Sequence, residues 1–211
     1  MLIMNVYKIQ VRGYFEVNSY FLIDEATGHG FLIDPGAQGD ELAGIIKHQA
    51  WTIEKILLTH GHFDHTGGID ALNRQLDIPV YIHEAGAAYL TDTMLNLSAA
   101  CGECVVVNGA NFFSDGEIFS LNENRDVLQA MHTPGHTPDS TTFYDAEDGI
   151  AFVGDTIFRG SIGTAQYPGG NGYDLVQSIR ERIFALPQDT VLYSGHSEPT
   201  TVKIESARYM L

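Results

Sequence analysis

The sequence predicts an α/β chain of two similar halves, each supplying one sheet, with the two sheets packed together and helices outside. Three observations carry this. First, Tyr20-Phe21-Leu22-Ile23, a polar turn through Gly28 and Gly30, and Phe31-Leu32-Ile33-Asp34 read as a β-hairpin. Second, Thr142-Phe143-Tyr144, an acidic turn ending at Gly149, and Ile150-Ala151-Phe152-Val153-Gly154-Asp155 repeat the plan, again closing a strand on an aspartate. Third, each hairpin is followed by a helical pattern, an apolar strand and a histidine. No linker separates the halves, and neither could bury its sheet alone, so residues 1–211 are expected to form one domain.

In the first half, Leu42, Ile45 and Ile46 stand at helical spacing before the strand Ile56-Leu57-Leu58-Thr59 and His60. In the second, a helix around Leu175, Ile179, Ile183 and Phe184 leads to Val191-Leu192-Tyr193-Ser194 and His196. Asp34 and His60 lie 26 positions apart and Asp155 and His196 lie 41 apart, so the second half carries 15 more. The glycine-rich segment 156–170, with Arg159 and Tyr167, accounts for them and is expected to form a substrate loop.

Composition narrows the function. The apolar fraction of 44%, the charged fraction of 18% and the 22 glycines describe a turn-rich globular chain. A net charge of −16 repels phosphate backbones and anionic lipid, so neither nucleic acid nor a membrane is an expected partner. The N-terminus has no basic region before a long apolar run and no stretch is long enough to span a bilayer, which predicts a soluble, cytoplasmic protein. Two cysteines make no disulfide framework, and Cys101-Gly102-Glu103-Cys104 is expected to carry free thiols. No feature specifies an oligomeric state.

The chemistry is concentrated at His60-Gly61-His62-Phe63-Asp64-His65, between the strand 56–59 and the helical pattern Ile69, Leu72, Leu76. Neutral imidazole and carboxylate are the ligands of zinc and similar first-row ions, and four at one corner exceed what one ion accepts with a position left open. Two metals are implied: His60 and His62 could hold one, Asp64 and His65 the other. Further candidates are His136 in Thr133-Pro134-Gly135-His136-Thr137-Pro138, Asp155 in Gly154-Asp155-Thr156 and His196 in Ser194-Gly195-His196.

This set of motifs resembles the metallo-β-lactamase superfamily in its glyoxalase II-like (hydroxyacylglutathione hydrolase-like) branch, over nearly the whole chain. The resemblance implies a four-layer αββα sandwich with the site at one edge of the sheets. It also implies that His60, His62 and His136 bind one divalent ion, that Asp64, His65 and His196 bind the second, and that Asp155 bridges them. Asp64 and Asp155 are then the carboxylates tied to catalysis, and zinc is the first choice of metal, with iron or manganese as alternatives.

Two such ions activate a water at neutral pH and polarise a carbonyl, so no serine or cysteine nucleophile is needed, and no Gly-x-Ser-x-Gly elbow is present. A small-molecule acyl thioester such as an acylglutathione is the expected substrate, because a thiolate with pKa near 8.5 leaves without much acid assistance. Thr164 stands where glyoxalase II enzymes commonly have a basic residue, and the chain ends at Leu211 without their C-terminal helical extension; both bear on glutathione binding. Asp155 stands where many β-lactam-hydrolysing relatives have cysteine, which makes drug hydrolysis a lesser expectation. Alternatives of the same fold are an iron-dependent persulfide dioxygenase and a lactone or ester hydrolase. Asp139 and Ser197 occupy positions where such proteins commonly carry glycine, and His83 is the remaining histidine at a strand end.

Overall fold

The computed structural model describes residues 4–122 and 125–209. The first sheet is built from β1 (Met4–Arg12), β2 (Glu16–Asp24), β3 (His29–Ile33), β4 (Thr52–Leu57), β5 (Val80–His83) and β6 (Asn111–Phe113), hydrogen bonded in that order. The rest of the chain supplies β7 (Ile118–Leu121), β8 (Arg125–His132), β9 (Thr141–Asp145), β10 (Ile150–Gly154), a small ribbon of β11 (Ile157–Phe158) and β12 (Ser161–Ile162), then β13 (Val191–Ser194) and β14 (Thr200–Thr201). The second sheet has the order β14-β13-β10-β9-β8-β7.

The duplication read from the sequence is present in the strand pairing. β2 and β3 are antiparallel and β3 pairs parallel with β4; β9 and β10 are antiparallel and β10 pairs parallel with β13. The crossover helices are α1 (Gly39–Gln49) in the first half and, after α2 (Phe63–Thr66) and α3 (Ile69–Leu76), α4 (Gly172–Ser178) in the second. The chain then ends on α5 (Val202–Arg208).

Side-chain alternation along the strands produces the layers, because successive residues of a strand face opposite sides of the sheet. On β2, Tyr20 and Leu22 point between the sheets and meet Phe143 and Phe152 from the second half. Their neighbours Phe21 and Ile23 point outward onto Leu42 and Ile46 of α1 and Leu72 of α3. On β10, Phe152 faces inward while Ala151 and Val153 face Leu175, Ile179, Ile183 and Val202. The result is the four-layer αββα sandwich that the resemblance implied, two sheets enclosed by helices.

Sequence periodicity missed the edges of both sheets. β1, β6, β7, β8 and β14 were not among the expected strands, whereas the strand expected before His83 is β5; β6 has only three residues, two of them exposed, and so carries no readable alternation. The strand before the histidine cluster stops at Leu57 rather than Thr59, which leaves Leu58 and Thr59 outside the ladder and brings His60 to the sheet edge. The segment 156–170 holds the β11–β12 ribbon and a loop beside the site. No helix among the described residues is long and apolar enough to cross a membrane.

Candidate metal centre

All seven residues singled out from the sequence meet at one end of the two sheets. Ligand atoms of His60, His62 and His136 lie within 4.8 Å of one another, as do those of Asp64, His65 and His196. A third such group joins His60 and His65 to Asp155. His62 Nδ1 is 3.1 Å from His60 Nε2 and 3.0 Å from His136 Nε2. Asp155 stands between the groups: its Oδ1 is 3.4 Å from His65 Nε2, and its Oδ2 is 3.4 Å from His196 Nε2 and 3.7 Å from His136 Nε2. Asp64 Oδ2 lies 3.2 Å from His196 Nε2.

Local structure places each group. His60 follows β4, His62 caps the N-terminus of α2, and that single turn carries Asp64 and His65. Asp155 follows β10 directly, as Asp34 follows β3. Gly154 has φ of 50°, and a Cβ there would stand 2.4 Å from Thr59 Oγ1, so only glycine lets the end of β10 approach the first half. At Gly195 a Cβ would come within 2.5 Å of Asp155 Oδ1 and 2.6 Å of His65 Cε1. The glycine before His196 therefore leaves room for the cluster itself.

The outer nitrogens of four rings are tied to acceptors. His136 Nδ1 donates to the Thr164 carbonyl at 2.7 Å, and His196 Nδ1 donates to the Glu16 carbonyl at 2.8 Å. His65 Nδ1 donates to Asp34 Oδ2 at 2.8 Å. Thr59 Oγ1 gives its proton to Asp34 Oδ2 at 2.6 Å and so accepts from His60 Nδ1 at 3.1 Å. With each Nδ1 tied to an outer acceptor, each Nε2 is the nitrogen turned inward toward a ligand. Asp34, which also accepts from the Thr59 amide at 2.8 Å, was not expected at the site. Its signal was the duplicated strand-end aspartate, in which Asp34 occupies the place of Asp155.

Electrostatics divides the cluster in two. Burial, reinforced by His65, His62 and His136, holds His60 well below its ordinary pKa, and burial with His136 lowers His62 to about 3. Burial also opposes charge on His65, yet Asp155, Asp34 and Asp64 outweigh it and hold that ring well above its usual value. At His196 burial is overcome by hydrogen bonds to Asp155 and Asp64, which raise it to about 10. Asp155 is likewise buried, and His65 and His196 keep it well below the normal carboxylate range. One side holds His60 and His62, which burial keeps neutral, and the other is a carboxylate pair that attracts positive charge.

These residues fit a metal site. His65 Nε2 and Asp155 Oδ1 are buried and have no hydrogen-bond partner, and the inward lone pairs of His60 and His136 both face His62 Nδ1. Such a convergence is unfavourable unless a cation lies within it. A cavity of about 220 Å³ opens onto the cluster, walled by Phe15, Leu97, Phe158 and Tyr167. Of the two residues noted on the segment 156–170, Tyr167 lines the cavity, whereas Arg159 is exposed and does not. Cys101 and Cys104 are free thiols. His83 lies on β5 and stacks on His132 with ring centroids 4.0 Å apart, outside the cluster.

Asp139 is the other residue that departs from the usual pattern. It is fully buried, neither carboxylate oxygen has a hydrogen-bond partner, and burial pushes its pKa up to about 6. Its oxygen faces Gly61 and Gly86, where a Cβ would lie 3.5 Å and 2.6 Å away.

Comparison with known proteins agrees with this geometry. The family model described as Metallo-beta-lactamase superfamily matches residues 12–196. The probable metallo-hydrolase YqgX of Bacillus subtilis is 37% identical over 92% of this chain and 90% of its own. The hydroxyacylglutathione hydrolase GloC of Haemophilus influenzae is 29% identical over 94% and 93%. Among solved structures, the BLEG-1 B3 metallo-beta-lactamase superposes with a TM-score of 0.89 at 32% identity, covering 96% of this chain and 97% of its own. TTHA1623 in a di-iron-bound form gives 0.84 at 30% identity, covering 95% and 96%.

Two substitutions test the site. Asp155→Ala removes the carboxylate that, alone among the described residues, reaches both groups and is expected to weaken metal retention by roughly tenfold or more in a chelator competition, with activity lost in parallel. Unchanged metal retention would contradict the bridging assignment. For Asp139, a folded pKa of about 6 against 3.8 means that the cost of ionising it in the fold is absent below pH 4 and complete above about pH 6. In metal-free protein, the stability of Asp139→Asn relative to the parent is expected to improve by up to about 3 kcal/mol from pH 4 to pH 7 in denaturant titrations. A pH-independent difference would contradict the buried, unpaired carboxyl.

Proposed function

The chain belongs to the metallo-beta-lactamase superfamily, and we propose that it is a binuclear metal-dependent hydrolase that cleaves an acyl thioester. The observation that supports this most is the position of Asp155, whose two oxygens lie within 3.4 Å of His65 and His196, with Oδ2 also 3.7 Å from His136. One carboxylate thus reaches both ligand groups. His60, His62 and His136 would hold one ion, and Asp64, His65 and His196 the other.

When bound, the ions supply a water activated at neutral pH and a Lewis acid for the substrate carbonyl. The protein contributes the rest. Asp34 fixes the tautomer and orientation of His65, and the Thr164 and Glu16 carbonyls do the same for His136 and His196. Phe15, Leu97 and Phe158 limit water around the reacting carbonyl. No serine or cysteine lines the cavity, which suits attack by water. A thiolate leaves with little acid assistance, which makes a thioester the least demanding acyl substrate for attack by such a water.

A second reading, hydrolysis of a β-lactam amide, is favoured by the likeness to BLEG-1. An amine leaving group requires a proton, so this reading asks for acid assistance that a thiolate does not need.

The test is thiol release from acyl thioesters, including S-D-lactoylglutathione and a neutral-arm thioester, by protein reconstituted with zinc, iron or manganese, beside a chromogenic cephalosporin. A kcat/KM above about 10⁴ M⁻¹s⁻¹ on a thioester is the expected result. Turnover of the cephalosporin alone would replace the thioester reading with the second one.

A further inference from the structure

Beside the metal cavity lies a second one of about 170 Å³, and the two share Phe15 and Asp64. Three aromatic rings face this second cavity. Phe15 stacks against Tyr14 at 4.9 Å in an edge-on arrangement, and Phe63 lies 6.1 to 6.2 Å from both. Tyr14 and Phe15 are 61% and 45% exposed on the tip of the β1–β2 hairpin, so large apolar surface is left open to solvent beside the reactive centre. The far wall carries Glu103, from the Cys101–Cys104 segment that the metal site does not use, together with Gln38.

The charge of this surface is one-sided. Neither cavity is lined by a lysine or arginine. Arg12, beside the lining residue Gly13, pairs with Glu16 at 3.2 Å, while Lys8 and Arg159 act on Glu198, with Lys8 Nζ 2.5 Å from its carboxylate. A substrate arm with carboxylates would meet Glu103 without a counter-charge, whereas aromatic faces and a carboxylate together favour a neutral or cationic group.

We propose that the second cavity is the subsite for the thiol arm of the substrate, and that it selects an arm without negative charge, an amide or a quaternary or tertiary amine rather than an anionic peptide thiol. The acyl group then occupies the cavity over the metal centre against Phe15, Leu97 and Phe158, and Phe15 divides the two. This inference rests on the thioester reading above and narrows its substrate class.

The experiment uses zinc-loaded protein and one acyl group, butanoyl, on three thiols: N-acetylcysteamine, thiocholine and glutathione. Hydrolysis is measured with the thioesters, and binding by calorimetry with the matching S-butyl thioethers, which cannot be cleaved. The thiocholine and N-acetylcysteamine compounds are expected to exceed the glutathione ones by roughly fivefold in kcat/KM and in affinity. Glu103→Lys should invert the ratio between cationic and anionic arms, a comparison made within one protein preparation. Preference for the glutathione compounds, or a ratio unmoved by Glu103→Lys, overturns the subsite. If the thioethers keep the expected order while no thioester is cleaved, the subsite stands and the thioesterase reading falls. Cleavage of all three thioesters without preference has the opposite meaning.

Discussion

Imidazoles can share one corner only if their protons are kept on the outside, and four of the five rings here meet that condition. In this protein Asp34, Thr59 and the carbonyls of Glu16 and Thr164 accept those protons, and the lone pairs they leave point at a common space. Desolvation reinforces the arrangement by disfavouring charge on His60 and His62. Asp64 and Asp155 supply the opposite field at His65 and His196. A site that would repel itself as a set of free side chains becomes a preorganised receptor for positive charge.

The two-sheet architecture serves this arrangement by letting each half orient ligands of the other. Glu16, at the start of β2 in the first sheet, holds His196 from the second, and Asn18 and Tyr20 of the same strand bind the Ser194 carbonyl just before it. In return, the Thr141 amide of β9 donates to the Thr59 carbonyl beside His60. The inter-sheet core of Tyr20, Phe143 and Phe152 lies directly behind these bonds. Its packing therefore fixes the separation of the ligand groups, since close-packed interiors transmit displacement instead of absorbing it.

The parts of the site legible in sequence are those concentrated in it. His60 to His65 fall within six residues, and Asp155 and His196 could be found because each closes a strand in a repeated plan. Asp34 shows the same strand-end placement, but the sequence does not reveal that it acts behind His65, because that role depends on contact across 31 positions. The cavity walls were less visible still. Phe15, Leu97 and Phe158 lie on separate turns or at ribbon ends and have no common period, so only the fold brings them together. Edge strands such as β6 escaped for the opposite reason, since they are too short and exposed to show alternation.

Native mass spectrometry of protein loaded with zinc or iron, read beside elemental analysis, counts the ions held by each chain. Two ions per folded chain is the result that follows from two ligand groups joined by Asp155. A single ion, and above all a single iron held with the Asp64 and His196 side left free, would contradict a binuclear hydrolase and point to oxygen chemistry on the same fold.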